Sequence, residues 1–243
     1  MTTGPYVPVV GEGEVSLVCF PWAGAGARPF RLWRPVLPDG LAMSVARLGG
    51  REDRVADAPP TEWSAVVSEL VDALDVTGPF VFFGHCLGAL LAYEVVLERR
   101  RRGLALPAAL LVVGDAPSIS GGPPVTDVAA AARASGAMDS RILDNADVFA
   151  LFEPVLRADF HLATTYRRGD DPALPMPIDA FVASARPEER AGLDGWAAET
   201  AERFRVIMIE SESLYPSGAW TSFGAAVAAS ATAALTRADR SGL

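Results

Sequence analysis

The chain has 243 residues, of which 50% are hydrophobic and 21% charged, with a net charge of -9. That length suits one large α/β domain, and no Pro- or Ser-rich linker divides it, so residues 1–243 are read as a single domain. The acidic balance argues against a nucleic-acid partner, whose phosphates it would repel.

Taken in chain order, short apolar runs alternate with amphipathic stretches. "EVSLVCF" (14–20), "LAMSVARL" (41–48), "PFVFFG" (79–84), "AALLVVGD" (108–115), "PIDAFVA" (177–183) and "RFRVIMIE" (203–210) have the continuous hydrophobicity of strands buried on both faces. Helices are predicted at 29–37, 61–75, 87–102, 187–200 and 219–235. The alternation predicts a mostly parallel, doubly wound α/β sheet. Residues from about 118 to 170 break the rhythm, with several helical patterns and no good strand. Ligands of open α/β sheets bind at the carboxyl ends of strands, so this insertion is read as a helical lid over that crevice.

The basic run "ERRRRG" (98–103) closes the helix at 87–102, where cations complement the negative end of the dipole. No basic-then-apolar leader opens the sequence, and no apolar run approaches the roughly 18 residues needed to cross a bilayer, which predicts a cytoplasmic protein without a membrane partner. Two cysteines, Cys19 and Cys86, provide no disulfide framework. The two histidines, His85 and His161, are not paired with Cys or carboxylates at a ligand spacing, so no metal is expected.

The chemistry is concentrated at "FGHCLGAL" (83–90). Gly84-His85-Cys86-Leu87-Gly88 has the spacing of a G-x-S-x-G elbow with cysteine in place of serine, between a hydrophobic strand and a helix. Glycines flank such a turn because side chains there would strike neighbouring backbone. Cys86 at the amino end of the helix is expected to have a lowered thiol pKa through the dipole and nearby amides. Leu87 offers one oxyanion amide, and the Gly-rich turn "CFPWAGAGARPF" (19–30) offers a second from Trp22 or Ala23.

With these motifs in place, the chain resembles the type II thioesterases, stand-alone α/β-hydrolases that serve polyketide synthases and nonribosomal peptide synthetases. The segments "LVCFPWAGAGARPFRLWRPVLP", "ARLGGREDRVADAPP", "FVFFGHCLGALLAYEV", "LFEPVLRADFHLATTYR" and "PIDAFVASARPEERAGLDGWAAET" carry the resemblance, in the family's order. It implies an α/β-hydrolase fold and a substrate acyl chain carried as a thioester on the phosphopantetheine arm of an acyl or peptidyl carrier protein. No separate cofactor is implied. It also supports the lid, through the Arg-Ala-Asp-Phe match at Arg157 to Phe160, and suggests Phe160 as a substrate contact. Arg51 and Arg54 in "GREDR" match family arginines and suggest either a phosphate contact or ion pairing between loops.

The departures concern the catalytic triad. Cys86 replaces the family's serine, Arg186 stands at the position of its aspartate, and Ser213 in "IMIESESLYPSG" at that of its histidine. A serine without a base would be inert, whereas a thiol is partly ionised at neutral pH. Asp115 stands where integrated thioesterase domains and cysteine-using, tetramate-forming Dieckmann cyclases carry their acid. Its readings are a catalytic acid or a loop residue capping the lid. As to a base, His85 should point into the sheet as a hydrogen-bonded core residue, His161 belongs to the lid, and Glu210 and Glu212 lie near the vacant histidine position.

The expected activity is therefore acyl transfer through Cys86, with Asp115 and His161 as candidate partners and non-hydrolytic, cyclising release. Thiol–thioester exchange needs little base, whereas water must be activated. A nucleophile within the substrate competes well, because effective molarities reach about 10⁵ M or more. Slow hydrolytic editing and a non-catalytic module that binds a carrier or an acyl chain are the alternatives.

Overall fold

The computed structural model describes residues 4–11, 13–136, 138–216 and 219–241. Ser217 and Gly218 of the "IMIESESLYPSG" segment lie outside the described residues. The strands are β1 (Tyr6–Val10), β2 (Val15–Phe20), β3 (Leu41–Ala46), β4 (Phe80–His85), β5 (Leu110–Val113), β6 (Ile178–Ala183) and β7 (Phe204–Ile209). They form one sheet in the order β1-β3-β2-β4-β5-β6-β7. All pairs are parallel except β1 with β3. The six apolar runs became β2 to β7. The sequence reading missed β1, a five-residue edge strand interrupted by Pro8, where a missing N–H is tolerated.

Strand periodicity divides the core between the two faces. Along β4, Phe80 and Phe82 join the cluster containing Phe20, Leu91 and Val95. Val81 and Phe83 join the opposite cluster, with Trp33, Trp220 and Phe223. Each buried Phe contributes on the order of 1.5–3 kcal/mol, and β4, buried along its length, is thereby fixed in register. The first face is covered by α1 (Trp63–Ala73) and α2 (Leu87–Arg101). The second is covered by a 3₁₀ segment, Pro29–Val36, and a long C-terminal helix over Trp220–Ser241.

Two helix expectations need correction. Residues 29–37 wind as a 3₁₀ helix, since Pro35 has no N–H for an α-helical ladder. Residues 187–200 break into short turns around Pro187, Gly192 and Gly195.

Between β5 and β6, the region read as a lid contains α3 (Val128–Ser135), α4 (Ser140–Leu143) and α5 (Ala146–Thr165). Asp127, Asp139 and Asn145 cap them, accepting from the amides of Ala130, Arg141 and Val148. Val128, Ala132 and Leu156 pack α3 on α5. The five-residue helix over Arg190–Asp194 is α6 and the C-terminal helix is α7.

The basic run at the end of α2 is occupied internally. Arg99 is buried, donates to Ala105 O and lies over the Phe80 ring; Arg100 donates to the carbonyls of Pro172 and Ala173. Arg101 pairs with Asp171 and Glu98, and Arg102 with Glu98 and Asp72. These contacts tie α2 to the segment before β6 and to α1. Among the described residues no helix is long and apolar enough to cross a membrane.

Candidate active site

The connection from β4 to α2 is a sharp elbow. Cys86 has φ 54° and ψ -118°, a region that non-glycine residues rarely occupy, at a cost of order 1–3 kcal/mol. The conformation is held by Cys86 N–H donating to Val113 O at 2.7 Å and by Ala89 N–H donating to Cys86 O at 2.9 Å. The flanking glycines are required by close approach: a Cβ on Gly84 would collide with the Gly88 carbonyl, and one on Gly88 with the Phe20 carbonyl. The elbow thus stands at the carboxyl ends of the central strands, as the sheet topology leads one to expect.

Cys86 opens onto a cavity of about 270 Å³. Its wall includes Asp115 after β5, Arg186 and Glu189 after β6, and Ser213 and Tyr215 after β7, together with Ser135 of α3 and His85. Asp115 is thereby brought to Cys86. Its turn is fixed by Trp196 Nε1–H donating to Gly114 O at 3.0 Å and by Ala116 N–H donating to Gly192 O at 3.0 Å. Arg186 pairs with Glu189 at 3.3 Å and donates to Glu212 O at 3.4 Å. Burial raises the Glu189 pKa; Arg186 opposes this shift, and the Glu188 and Asp115 charges add to it.

The thiol departs from the expectation of a lowered pKa. Cys86 reaches solvent, but the loss of hydration around its sulfur is the largest influence and raises the pKa. The Leu87 N–H and the Tyr215 hydroxyl act as donors toward the sulfur and oppose this effect, while the negative charges of Asp115 and Asp159 reinforce it. The amide at the helix start acts in the expected direction but is outweighed.

His85 is buried, as read from the sequence, but its Nδ1 has no hydrogen-bond partner. The ring stacks on Tyr215, centroids 4.6 Å apart and 27° between planes, and lies 5.1 Å from Trp22. Burial drives its pKa down to about 3, so the imidazole is neutral and a weak base. His161 lies on the exposed side of α5 and is not among the residues lining the cavity. A 20-residue helix exposes one side to water while Val155, Leu156, Asp159 and Leu162 are buried. Glu210 and Glu212 are also exposed, and neither lines the cavity.

Arg51 and Arg54 are held in ion pairs that tie their segment to α5 and α1. Arg51 is buried, with Nη2 2.8 Å from Asp159 Oδ1, Nη1 3.0 Å from Oδ2, and Nη1 donating to Ala25 O at 2.9 Å. Asp159 Oδ2 also accepts from Gly24 N–H at 2.6 Å. The 19–30 turn carrying Trp22 and Ala23 is thereby clamped to α5. Arg54 pairs with Asp57 and Glu69. Phe160 packs against the core clusters instead of lining the cavity. These three residues, suggested as substrate contacts, are therefore engaged in holding loops and helices together.

Tyr215 was not singled out from the sequence, although it stands two residues beyond Ser213. Its one sequence signal was its place in the segment that the resemblance assigns to a catalytic histidine. Burial raises its pKa well above that of a free phenol, the charge of and hydrogen bond to Cys86 raise it further, and the site therefore holds a protonated hydroxyl beside the sulfur.

The thioesterase domain model matches residues 15–230. The gramicidin S biosynthesis protein GrsT of Aneurinibacillus migulanus is 27% identical over 217 residues, 85% of each chain. The RedJ thioesterase from the prodiginine pathway of Streptomyces coelicolor superposes with a TM-score of 0.81 at 30% identity, covering 89% of this chain and 85% of that one. YbtT, a type II thioesterase from the yersiniabactin NRPS/PKS pathway, gives a TM-score of 0.81 at 23% identity over 96% and 100% of the two chains, a likeness of fold. With a mostly parallel sheet consistent with the α/β-hydrolase fold and a family match across most of its length, the chain belongs to the thioesterase domain family, its relatives including type II thioesterases.

Proposed function

We propose that this thioesterase-family protein takes an acyl group from the phosphopantetheine arm of an acyl or peptidyl carrier protein onto Cys86 and releases it by attack of a nucleophile within the acyl chain. The observation that carries this reading is a cysteine in a strained elbow, opening onto a cavity whose one lining histidine is buried and barely basic. In the first step the Cys86 sulfur bonds to the thioester carbonyl carbon and the bond from that carbon to the pantetheine sulfur breaks. The proton lost by Cys86 to solvent is regained from solvent by the departing pantetheine thiolate. The Leu87 and Ala23 amides are assigned to the carbonyl oxygen, and Asp115 to orienting the attacking group.

In the second step the internal nucleophile loses its proton to solvent and bonds to the acyl carbon, and the departing Cys86 thiolate regains a proton from solvent. Hydrolysis is disfavoured because water requires a base, and an imidazole with a pKa near 3 supplies little at neutral pH. Cyclising release, of the lactone or Dieckmann type, fits this balance. In this reading α3 to α5 form a lid, the chain acts as one domain in the cytoplasm, and phosphopantetheine enters only as part of the substrate.

Intact-mass spectrometry of wild type and Cys86→Ala after incubation with an acyl-pantetheine thioester tests the reading. A Cys86-dependent acyl adduct that outlives the thioester supports it. Rapid hydrolysis instead favours an editing thioesterase, and binding with neither adduct nor turnover favours a non-catalytic module.

A further inference from the structure

We propose that the Tyr215 hydroxyl is the side-chain partner of the Cys86 sulfur in acyl transfer, donating to it as the thiolate attacks and again as it leaves. This assignment rests on the covalent reading of Cys86. Tyr215 and Cys86 line the same cavity, and each acts on the other's ionisation. Its ring is held on two sides, stacked on His85 at 4.6 Å and edge-on to Trp22 at 5.5 Å, 83° between planes. Its backbone N–H donates to Ser213 Oγ at 3.2 Å, fixing the turn that delivers it.

The remaining charged and titratable groups around the sulfur do not supply this donor. Asp115, from the turn after β5, and Asp159, from α5, are acidic and oppose the thiolate. Arg186 and Glu189, after β6, pair with each other. His85 carries a neutral ring whose Nδ1 is unpartnered. Among the described groups acting on the free thiol, the Leu87 amide is the other donor. A hydrogen bond to an ionised sulfur is stronger than one to a neutral thiol or thioester, so the contact favours the charged form at both ends of the reaction. The phenol gains and loses no proton overall: the S–C bond forms and later breaks while the hydroxyl remains a donor.

The test is Tyr215→Phe, which retains the ring stack and removes only the oxygen. The rate of iodoacetamide alkylation of Cys86 is followed against pH, with Cys86→Ala accounting for buried Cys19. Acylation by an acyl-pantetheine thioester is followed in parallel by intact mass. The variant's alkylation profile should move to higher pH by about one unit or more, with roughly tenfold slower alkylation and acylation at neutral pH. A merely structural role for Tyr215 would leave the profile in place. An unchanged profile with wild-type acylation rates overturns the assignment while leaving Cys86 acylation standing. A shifted profile in a protein whose wild type never acylates keeps the sulfur contact, but removes its role in acyl transfer and the covalent reading with it.

Discussion

Replacing Asp159 by Ala is the most informative perturbation of the scaffold beneath the site. Asp159 is fully buried on α5 and accepts from two nitrogens of Arg51, at 2.8 and 3.0 Å, and from Gly24 N–H at 2.6 Å. Its removal leaves the Arg51 guanidinium, itself only 7% exposed, with carbonyl partners but no counter-charge. Breaking a buried pair in this way costs about 3–5 kcal/mol, a large share of the roughly 5–15 kcal/mol that holds a domain folded. Equilibrium denaturation should show the midpoint falling by that free energy divided by the denaturant slope, with the slope itself unchanged. The double variant Arg51→Met/Asp159→Leu should regain most of the loss, since an apolar pair leaves no charge unmatched. Cys86 acylation should slow in the single variant, because the clamped turn carries the Ala23 amide. A loss below about 1 kcal/mol would refute the reasoning, for the clamp would then contribute no more than a surface ion pair.

The strain at the elbow predicts that Cys86→Gly is more stable than Cys86→Ala by about 1 kcal/mol, since relief of a rare backbone conformation outweighs the entropy that glycine loses on folding. Equal stabilities in thermal or urea unfolding would contradict this. His85 predicts an acid sensitivity: burial lowers its pKa from the ordinary value near 6.5 to about 3, so the unfolded chain binds a proton first as pH falls. No stability is lost above pH 6.5; below it the loss grows by about 1.4 kcal/mol per pH unit down to about pH 3, and is about 2.7 kcal/mol at pH 4.5. His85→Phe should flatten the stability curve between pH 6.5 and 4.5 by that amount, and parallel curves for the two proteins would exclude the burial argument.

The sequence alone determined six of the seven strands, because six runs of β-branched, aliphatic and aromatic residues are each long enough for a strand buried on both faces, with amphipathic helices between most of them. It also determined the elbow, since Gly84 and Gly88 flank Cys86 at the spacing the turn requires. The tertiary structure decided which groups surround the sulfur. Tyr215 and Asp115 lie 129 and 29 residues from Cys86 in the chain and meet it only because β4, β5 and β7 end at the same edge. It also decided the direction of the thiol's shift: a helix start is visible in sequence, but the desolvation and the Asp115 and Asp159 charges that outweigh it come from the folded surroundings. Arg51 shows the same division. Its charge and position can be read from one line of residues, but whether it meets a substrate phosphate or a buried carboxylate depends on where α5 packs, which local sequence does not encode.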